Sequence, residues 1–266
     1  MKKNWLMVIV GLFMVMALVA CGSSNENSNE EESGGSSEET LIMGTSADYP
    51  PFEYIDSAKG EDIIGFDVDI ANYIADELGY NVEIKDMDFS GLITALSSER
   101  VDFVLAGMTP TDERKENVDF SEIYYSANHM IVSSSDNKMS KPEDLNGAKV
   151  GVQLGSIQED KANELKDSGI NMEIITLNRI PELIQELKSG RYDAIIIEDT
   201  VAKGYLESNE DLTGENLPNT EEAGSAVAFP KDSELTEEFN EVIKEMKENG
   251  KMDELIEKWF GQDTVE

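Results

Sequence analysis

Arg114 closes the segment Gly107-Met108-Thr109-Pro110-Thr111-Asp112-Glu113-Arg114, which leaves an apolar run and leads into a helical one. Backbone N–H groups at a helix start favour an anion, and a guanidinium fork pairs bidentately with a carboxylate. The same residues also suit a solvated arginine behind an ordinary threonine cap. Glu198 and Asp199 follow the apolar run 194–197. An acid at the end of a buried strand is costly unless a cation answers it, which favours a partner such as an ammonium group. If the strand has simply ended there, both acids are solvated. A general acid/base pair fits less well, because adjacent strand residues point to opposite faces. Tyr49, Phe52 and Tyr54 lie in the turn Asp48-Tyr49-Pro50-Pro51-Phe52-Glu53-Tyr54, and Phe89 opens a short helix. Aromatics so placed either wall a ligand pocket or plug the base of a domain, and Tyr49 leans to the pocket.

Other chemistries are weak or absent. His129 is the only histidine and has no partner motif, so it reads as structural. A single histidine excludes a multi-His metal site and leaves a His-dependent triad one possible base. Cys21 is the only cysteine, which excludes an intrachain disulfide framework and a Cys-rich metal site. Gly155-Ser156 resembles a phosphate-type turn, but no Walker lysine or GxGxxG spacing follows. No cofactor and no metal are expected. The chain has 266 residues, 56 acids, 21 lysines and arginines and a formal net charge of -35, which argues against a nucleic-acid surface.

The elements that must position these residues alternate short apolar strands with amphipathic helices, the pattern of an α/β fold with largely parallel sheets. Strands are expected at 41–45, 82–86, 101–106, 149–153, 172–177 and 193–197. Helices are expected at 67–78, stopped by Gly79, and at 92–97, 158–168 and 181–189. A short apolar run at 226–230 and two amphipathic helices, over 235–247 and ending in Trp259-Phe260, complete the chain. Leu92-Ile93, Leu96, Ser98, Arg100 and Asp102 match Leu183-Ile184, Leu187, Ser189, Arg191 and Asp193 at a constant offset of 91 residues. That suggests two lobes built from the same βα units. Gly107 and Glu198 each lie five residues past the matching aspartate, at the end of a buried strand, where open α/β sheets bind ligands. Facing lobes would put them on opposite walls of one cleft.

The N-terminus reads as an address. Lys2 and Lys3 precede a 16-residue uncharged apolar run, 5–20, short of the ~20 residues a membrane-spanning helix needs. The run ends Leu18-Val19-Ala20-Cys21, which resembles a bacterial lipobox, with 1–20 a signal peptide removed before a lipidated Cys21. Two acyl chains, as on a palmitate-bearing lipoprotein, anchor a protein stably where one does not. Residues 22–40 carry six glutamates and no aliphatic or aromatic residue, so 21–40 reads as a lipidated cysteine and disordered tether. Without that tether and the two lysines, 50 acids and 19 bases remain. The charge therefore belongs to the domain as well.

Taken together, GTSADYPPFEY, GFDVDIANYIADEL, DFSGLITALSSERVDFVLAGMTPTDERKENVDFSEIYY, VGVQLGS, IIEDTVAKGY, AVAFPK and NGKMDELIEKWFG resemble, in order, segments of the solute-binding proteins of ABC importers, in the polar amino-acid-binding family. The likeness spans about 41–262. It implies a two-lobe, periplasmic-binding-protein-like α/β fold with two hinge crossovers, lobe 1 being 41–128 plus 226–266 and lobe 2 being 129–225. It implies a monomeric, lipid-anchored receptor on the extracellular face of the membrane, which closes over a free amino acid and delivers it to a permease. Arg114 would hold the ligand α-carboxylate with the N–H groups of Thr109 and Ile157. The Gly107 carbonyl, the Thr109 hydroxyl and Glu198 would hold the ammonium. Tyr49, Phe89, Gln153 and Ser156 would wall the side-chain pocket. Many relatives have Asp where Glu198 stands, and several have an acid in place of Ser46, with Asp48 two positions on here. VQLGS and IIEDTVAKGYLE look most like importers of arginine and other basic amino acids, ahead of glutamine. A dehydratase or a ligand sensor on the same scaffold is the more distant alternative.

Overall fold

The apolar segments assemble into two five-stranded sheets of the same design. A computed structural model describes residues 39–56, 58, 60–218 and 223–261; the stretches expected to be a signal peptide and a tether up to residue 38, and Cys21, lie outside them. In chain order the main strands are β1 (Glu39–Thr45), β2 (Tyr80–Asp86), β3 (Phe103–Val104), β4 (Val118–Phe120), β5 (His129–Ser134), β6 (Lys149–Gln153), β7 (Glu173–Leu177), β8 (Ala194–Glu198), β9 (Leu212–Asn216) and β10 (Ala228–Pro230). The first sheet has the order β2-β1-β3-β10-β4 and the second β7-β6-β8-β5-β9. In each, the first three strands are parallel and the last two antiparallel to their neighbours. In each, too, the fourth strand comes from a distant part of the chain. The chain leaves the first sheet into β5 and returns through β10, which accounts for two crossovers.

The 91-residue offset has a physical basis. Asp102 Oδ2 accepts the Ile42 N–H at 2.6 Å, and its repeat mate Asp193 accepts the Lys149 N–H at 2.8 Å. Each aspartate thus supplies by side chain the bond that would otherwise extend the ladder. The strand expected over 101–106 is paired only at Phe103–Val104, although Val101, Leu105 and Ala106 are also buried. The tether also ends earlier than its composition suggests. Glu39 and Thr40 pair with Tyr80 and Asn81 as the first rungs of β1.

Helices cover the sheets by their apolar stripes. Phe66–Leu78 buries Val68, Ile70, Ala71 and Ile74 and stops at Gly79, whose left-handed φ of 77° suits glycine. Phe52 is fully buried and sits among Phe66, Tyr125 and Phe260, with ring centroids 6.1, 5.5 and 5.1 Å away. Phe52 is therefore a base plug, and half-buried Tyr54 packs edge-on against Trp259. Trp259 Nε1 donates to Asp69 on the first helix, so the last helix, Lys251–Phe260, packs on the first sheet's side.

Candidate functional site

Between the strand ends of the two sheets lies a cavity of about 370 Å³. The nine residues expected at the cleft all line it. Tyr49, Phe89, Gly107, Thr109 and Arg114 come from loops beyond the first sheet, and Gln153, Ser156, Ile157 and Glu198 from the second. Ser46, Asp48, Glu53, Ala106 and Gln158 complete the lining.

Each wall has a local reason. Gly107 follows β3 with φ +54°, and a Cβ there would come within 3.1 Å of the Tyr49 ring, so the turn requires glycine. Its N–H donates to Asp67 Oδ2 at 2.9 Å, which ties the loop to the first helix. The helix expected to follow is a single turn, Asp112–Lys115, capped by the Thr111 hydroxyl. Its dipole is too short to matter, so a charge at this corner comes from Arg114 itself. The guanidinium donates to the carbonyls of Thr109 and, from the opposite sheet, Gly155, each at 2.9 Å, and lies 5.3 Å from the Phe89 ring centre. Arg114 is half-buried and not ion-paired: among the described residues no carboxylate lies within 4 Å of it. Burial lowers its pKa to about 10, with Asp160 and Glu113 partly opposing that shift.

On the other sheet, Gly155 and Ser156 turn β6 into the helix Ile157–Asp167. The Ser156 hydroxyl accepts the Glu159 N–H while Glu159 reaches back to the Gly155 N–H. The phosphate-like look of this turn is a helix cap, and it sets Ile157 in the first turn, whose N–H groups have no partner inside the helix.

Glu198 ends β8 and is 6% exposed, so the solvated alternative fails. The Thr200 hydroxyl donates to its Oε1, and Tyr49 donates to Oε2 from across the cavity at 3.3 Å. Burial pushes its pKa up to about 8; Asp199 adds to the rise, and the two hydroxyl bonds oppose it. His129, its partner in the β5–β8 ladder, contacts Gln158 through Nδ1 at 3.3 Å. Burial and then Lys161 lower the His129 pKa, against Asp199 and Glu164, which favours its neutral form. Asp199, equally buried, lies off the cavity: it accepts the Asn128 N–H at 3.0 Å and donates its own N–H to the Asn128 carbonyl at 2.9 Å. It fastens the crossover.

The residues that sequence reasoning passed over are Glu53 and Gln158. Glu53 pairs with Tyr49 in a small ribbon, Asp48–Tyr49 against Glu53–Ile55. Alternation along Phe52-Glu53-Tyr54 was the available signal, since Phe52 faces the core on one side and Glu53 the cavity on the other. Asp48 accepts the Ser46 hydroxyl at 2.9 Å and the Ile180 N–H at 2.8 Å. Beside it, Arg179 bridges the sheets, holding Asp86 through two nitrogens and Asp88 through Nε. Asp88 and Arg179 are themselves 91 residues apart, so equivalent loops of the two halves meet across the cleft.

Such a cavity can hold a small molecule with an anionic group at one corner and a cationic group at the other. Residues 41–262 match the bacterial extracellular solute-binding proteins, family 3. The arginine-binding extracellular protein ArtP of Bacillus subtilis (strain 168) is 55% identical over 261 residues, covering 97% of this chain and 98% of that protein. An ancestral arginine-binding protein solved with arginine is 42% identical, with a TM-score of 0.78, over 84% of this chain and 99% of its own. The same type of ancestor solved with glutamine is 41% identical, again with a TM-score of 0.78, over 85% and 99%. Each of these relatives is described as a binding protein. The two-sheet fold, its inter-sheet cavity and a match over nearly every described residue make this chain a member of the bacterial extracellular solute-binding proteins, family 3.

Proposed function

We propose that the protein is the receptor of an ABC importer and closes over one free basic amino acid, arginine above all. The observation that carries this reading is the opposed pair in one cavity: among the described residues, Arg114 has no carboxylate partner and buried Glu198 no cation. A zwitterion answers both. Its carboxylate would meet Arg114 with the N–H groups of Thr109 and Ile157. Its ammonium would meet Glu198, the Gly107 carbonyl and the Thr109 hydroxyl. Tyr49 and Phe89 would flank the side chain, with Gln153 and Ser156 from the second lobe. The lobes would be 41–128 plus 226–266 and 129–225, working as a monomer. Calorimetry with arginine, lysine and glutamine tests the specificity. Arginine or lysine is expected to bind more tightly, and a clear preference for glutamine or an acidic amino acid overturns it. Glutamine is the second reading, favoured by the ancestral relative solved with it.

In this reading Arg179 is the clasp of the closed state. Arg179→Met should weaken ligand binding roughly fivefold, about 1 kcal/mol for a partly exposed ion pair, mainly through faster release. Stopped-flow displacement measures this, and an unchanged release rate removes Arg179 from the closure.

Cys21 would carry the lipid that holds the receptor on the outer face of the cell membrane, within reach of its permease. Among the described residues no helix is long and apolar enough to cross a membrane. Cys21→Ser should release the protein from the membrane fraction while ligand binding survives. Retention in that fraction would sink the lipoprotein reading.

A further inference from the structure

Two of the groups that would hold a ligand's ammonium belong to different sheets, Gly107 past β3 and Glu198 at the end of β8, and both line the cavity. One ammonium meets both only if their separation is fixed. Each is held by a residue outside that lining. The Gly107 N–H donates to Asp67 Oδ2 at 2.9 Å, and the Thr200 hydroxyl donates to Glu198 Oε1. The crossover that leaves the first sheet reaches both holders through two adjacent tyrosines. Tyr124 donates to Oδ1 and Oδ2 of Asp67 at 2.8 and 2.9 Å. The Tyr125 hydroxyl reaches the side chain of Thr200, whose own proton goes to Glu198, so the threonine oxygen is left to accept.

The chain itself places these tyrosines. Successive residues of an extended segment point to opposite faces, so one crossover can serve two sheets. The segment Tyr125–Ala127 pairs antiparallel with Ala223–Ser225 of the returning chain. The Tyr124 N–H adds a bond to the Ser225 carbonyl at 2.9 Å, so the two crossovers form one ribbon. Tyr124 is buried, with its ring centre 6.0 Å from that of Phe66. The Tyr125 ring stacks on Phe260 at 4.5 Å and meets Phe52 and Phe66 edge-on. Both rings are therefore fixed to the aromatic base of the first sheet, while their hydroxyls serve different holders. Burial, then the charge of Asp67, raises the Tyr124 pKa well above its ordinary value; burial, then Glu198, raises that of Tyr125. Each hydroxyl thus keeps its proton and remains a donor. Linked hydrogen bonds in a water-poor interior polarise and strengthen one another.

We propose that Tyr124 and Tyr125 are positioning residues for the ligand's ammonium: Tyr124 fixes Gly107 through Asp67, Tyr125 fixes Glu198 through Thr200, and together they set the two acceptors at the spacing one ammonium needs. This rests on the reading of the protein as an amino-acid receptor. It gives two crossover residues, neither of them in the cavity lining, a share in recognition.

The test compares arginine with guanidinovalerate, which is arginine without its α-ammonium, by calorimetry on the intact protein. Tyr124→Phe and Tyr125→Phe keep the rings and remove only the hydroxyls. Each should weaken arginine roughly tenfold, the lower end of a hydrogen bond to a charged group, and guanidinovalerate about twofold or less. A loss of packing alone would weaken both ligands alike and leave their ratio where it was. In a Glu198→Gln background the Tyr125→Phe loss should disappear while the Tyr124→Phe loss persists, since only Tyr125 acts through Glu198. Equal weakening of the two ligands in folded variants, or none, would make the tyrosines packing residues only. A Tyr125→Phe loss that survives Glu198→Gln would equally overturn its part. Should a tyrosine variant not fold, Thr200→Val breaks the second chain without touching the crossover and must show the same loss of preference for arginine. A wild type that binds no amino acid fails the receptor reading itself, a result distinct from all of these.

Discussion

Arg114→Ala is expected to weaken amino-acid binding at least a hundredfold. In the cavity the guanidinium is held by two carbonyl oxygens, and the Phe89 ring lies against it. Carbonyl dipoles orient the fork without neutralising it, so its charge remains available to a carboxylate. Hydrogen bonds to charged groups contribute about 1.5–3 kcal/mol each, and a bidentate pair makes two. A loss of about 3 kcal/mol, two powers of ten, is therefore the lower bound. Arg114→Lys should recover little, because an ammonium cannot reproduce the planar fork. Titration calorimetry gives the affinities, and circular dichroism checks that each variant is folded. Binding within tenfold of wild type in a folded Arg114→Ala would place the carboxylate elsewhere.

Glu198→Gln should be as damaging, and more so for the amino acid than for its deaminated analogue. The analogue keeps the carboxylate that Arg114 would hold and lacks the ammonium. A neutral amide can accept from that ammonium but leaves its charge unanswered in a buried site. The neighbouring acid is the control. In Asp199→Asn the amide oxygen can still accept the Asn128 N–H, so affinity should change little. If Asp199→Asn abolishes binding and Glu198→Gln does not, the assignment is off by one residue.

Proton linkage gives a second readout of Glu198. With its folded pKa near 8 against an ordinary 4.5, the folded protein keeps a proton that the unfolded chain releases. The contribution of this group is thus complete at acid pH and is lost as pH rises from about 4.5 to about 8. Glu53 and Asp67, both raised by burial, act in the same direction. Ligand binding runs the opposite way, since an ammonium selects the ionised carboxylate and affinity should climb toward pH 8. Thermal melts and titrations across that window should show the two trends crossing, with Glu198→Gln flattening part of each.

Much of this fold was legible because its signals are local. Apolar spacing at 3.6 residues and a glycine stop were enough to place the helix Phe66–Leu78. The 91-residue match found two copies of one unit, since Asp102 and Asp193 meet the same demand for an acceptor beside a strand start. Gly107 could be singled out from its position past a strand, and in the structure any larger residue there would strike Tyr49. These requirements act over a few residues, so composition and spacing record them.

What the tertiary structure alone decided depends on groups far apart in the chain. Which of Glu198 and Asp199 faces the cavity shows in their partners, Tyr49, 149 residues from Glu198, and Asn128, 71 residues from Asp199. Arg114 could be solvated or directed into a cleft on its own sequence, and its bond to Gly155 from the opposite sheet puts it against the cavity. Glu53 looked like one polar residue in an aromatic turn. Its meaning comes from lying fully buried in a cavity whose other acids already have partners. Charge is the reason for the difference: an apolar residue is placed by its own hydrophobicity, whereas a buried ion is defined by which distant groups remain to answer it.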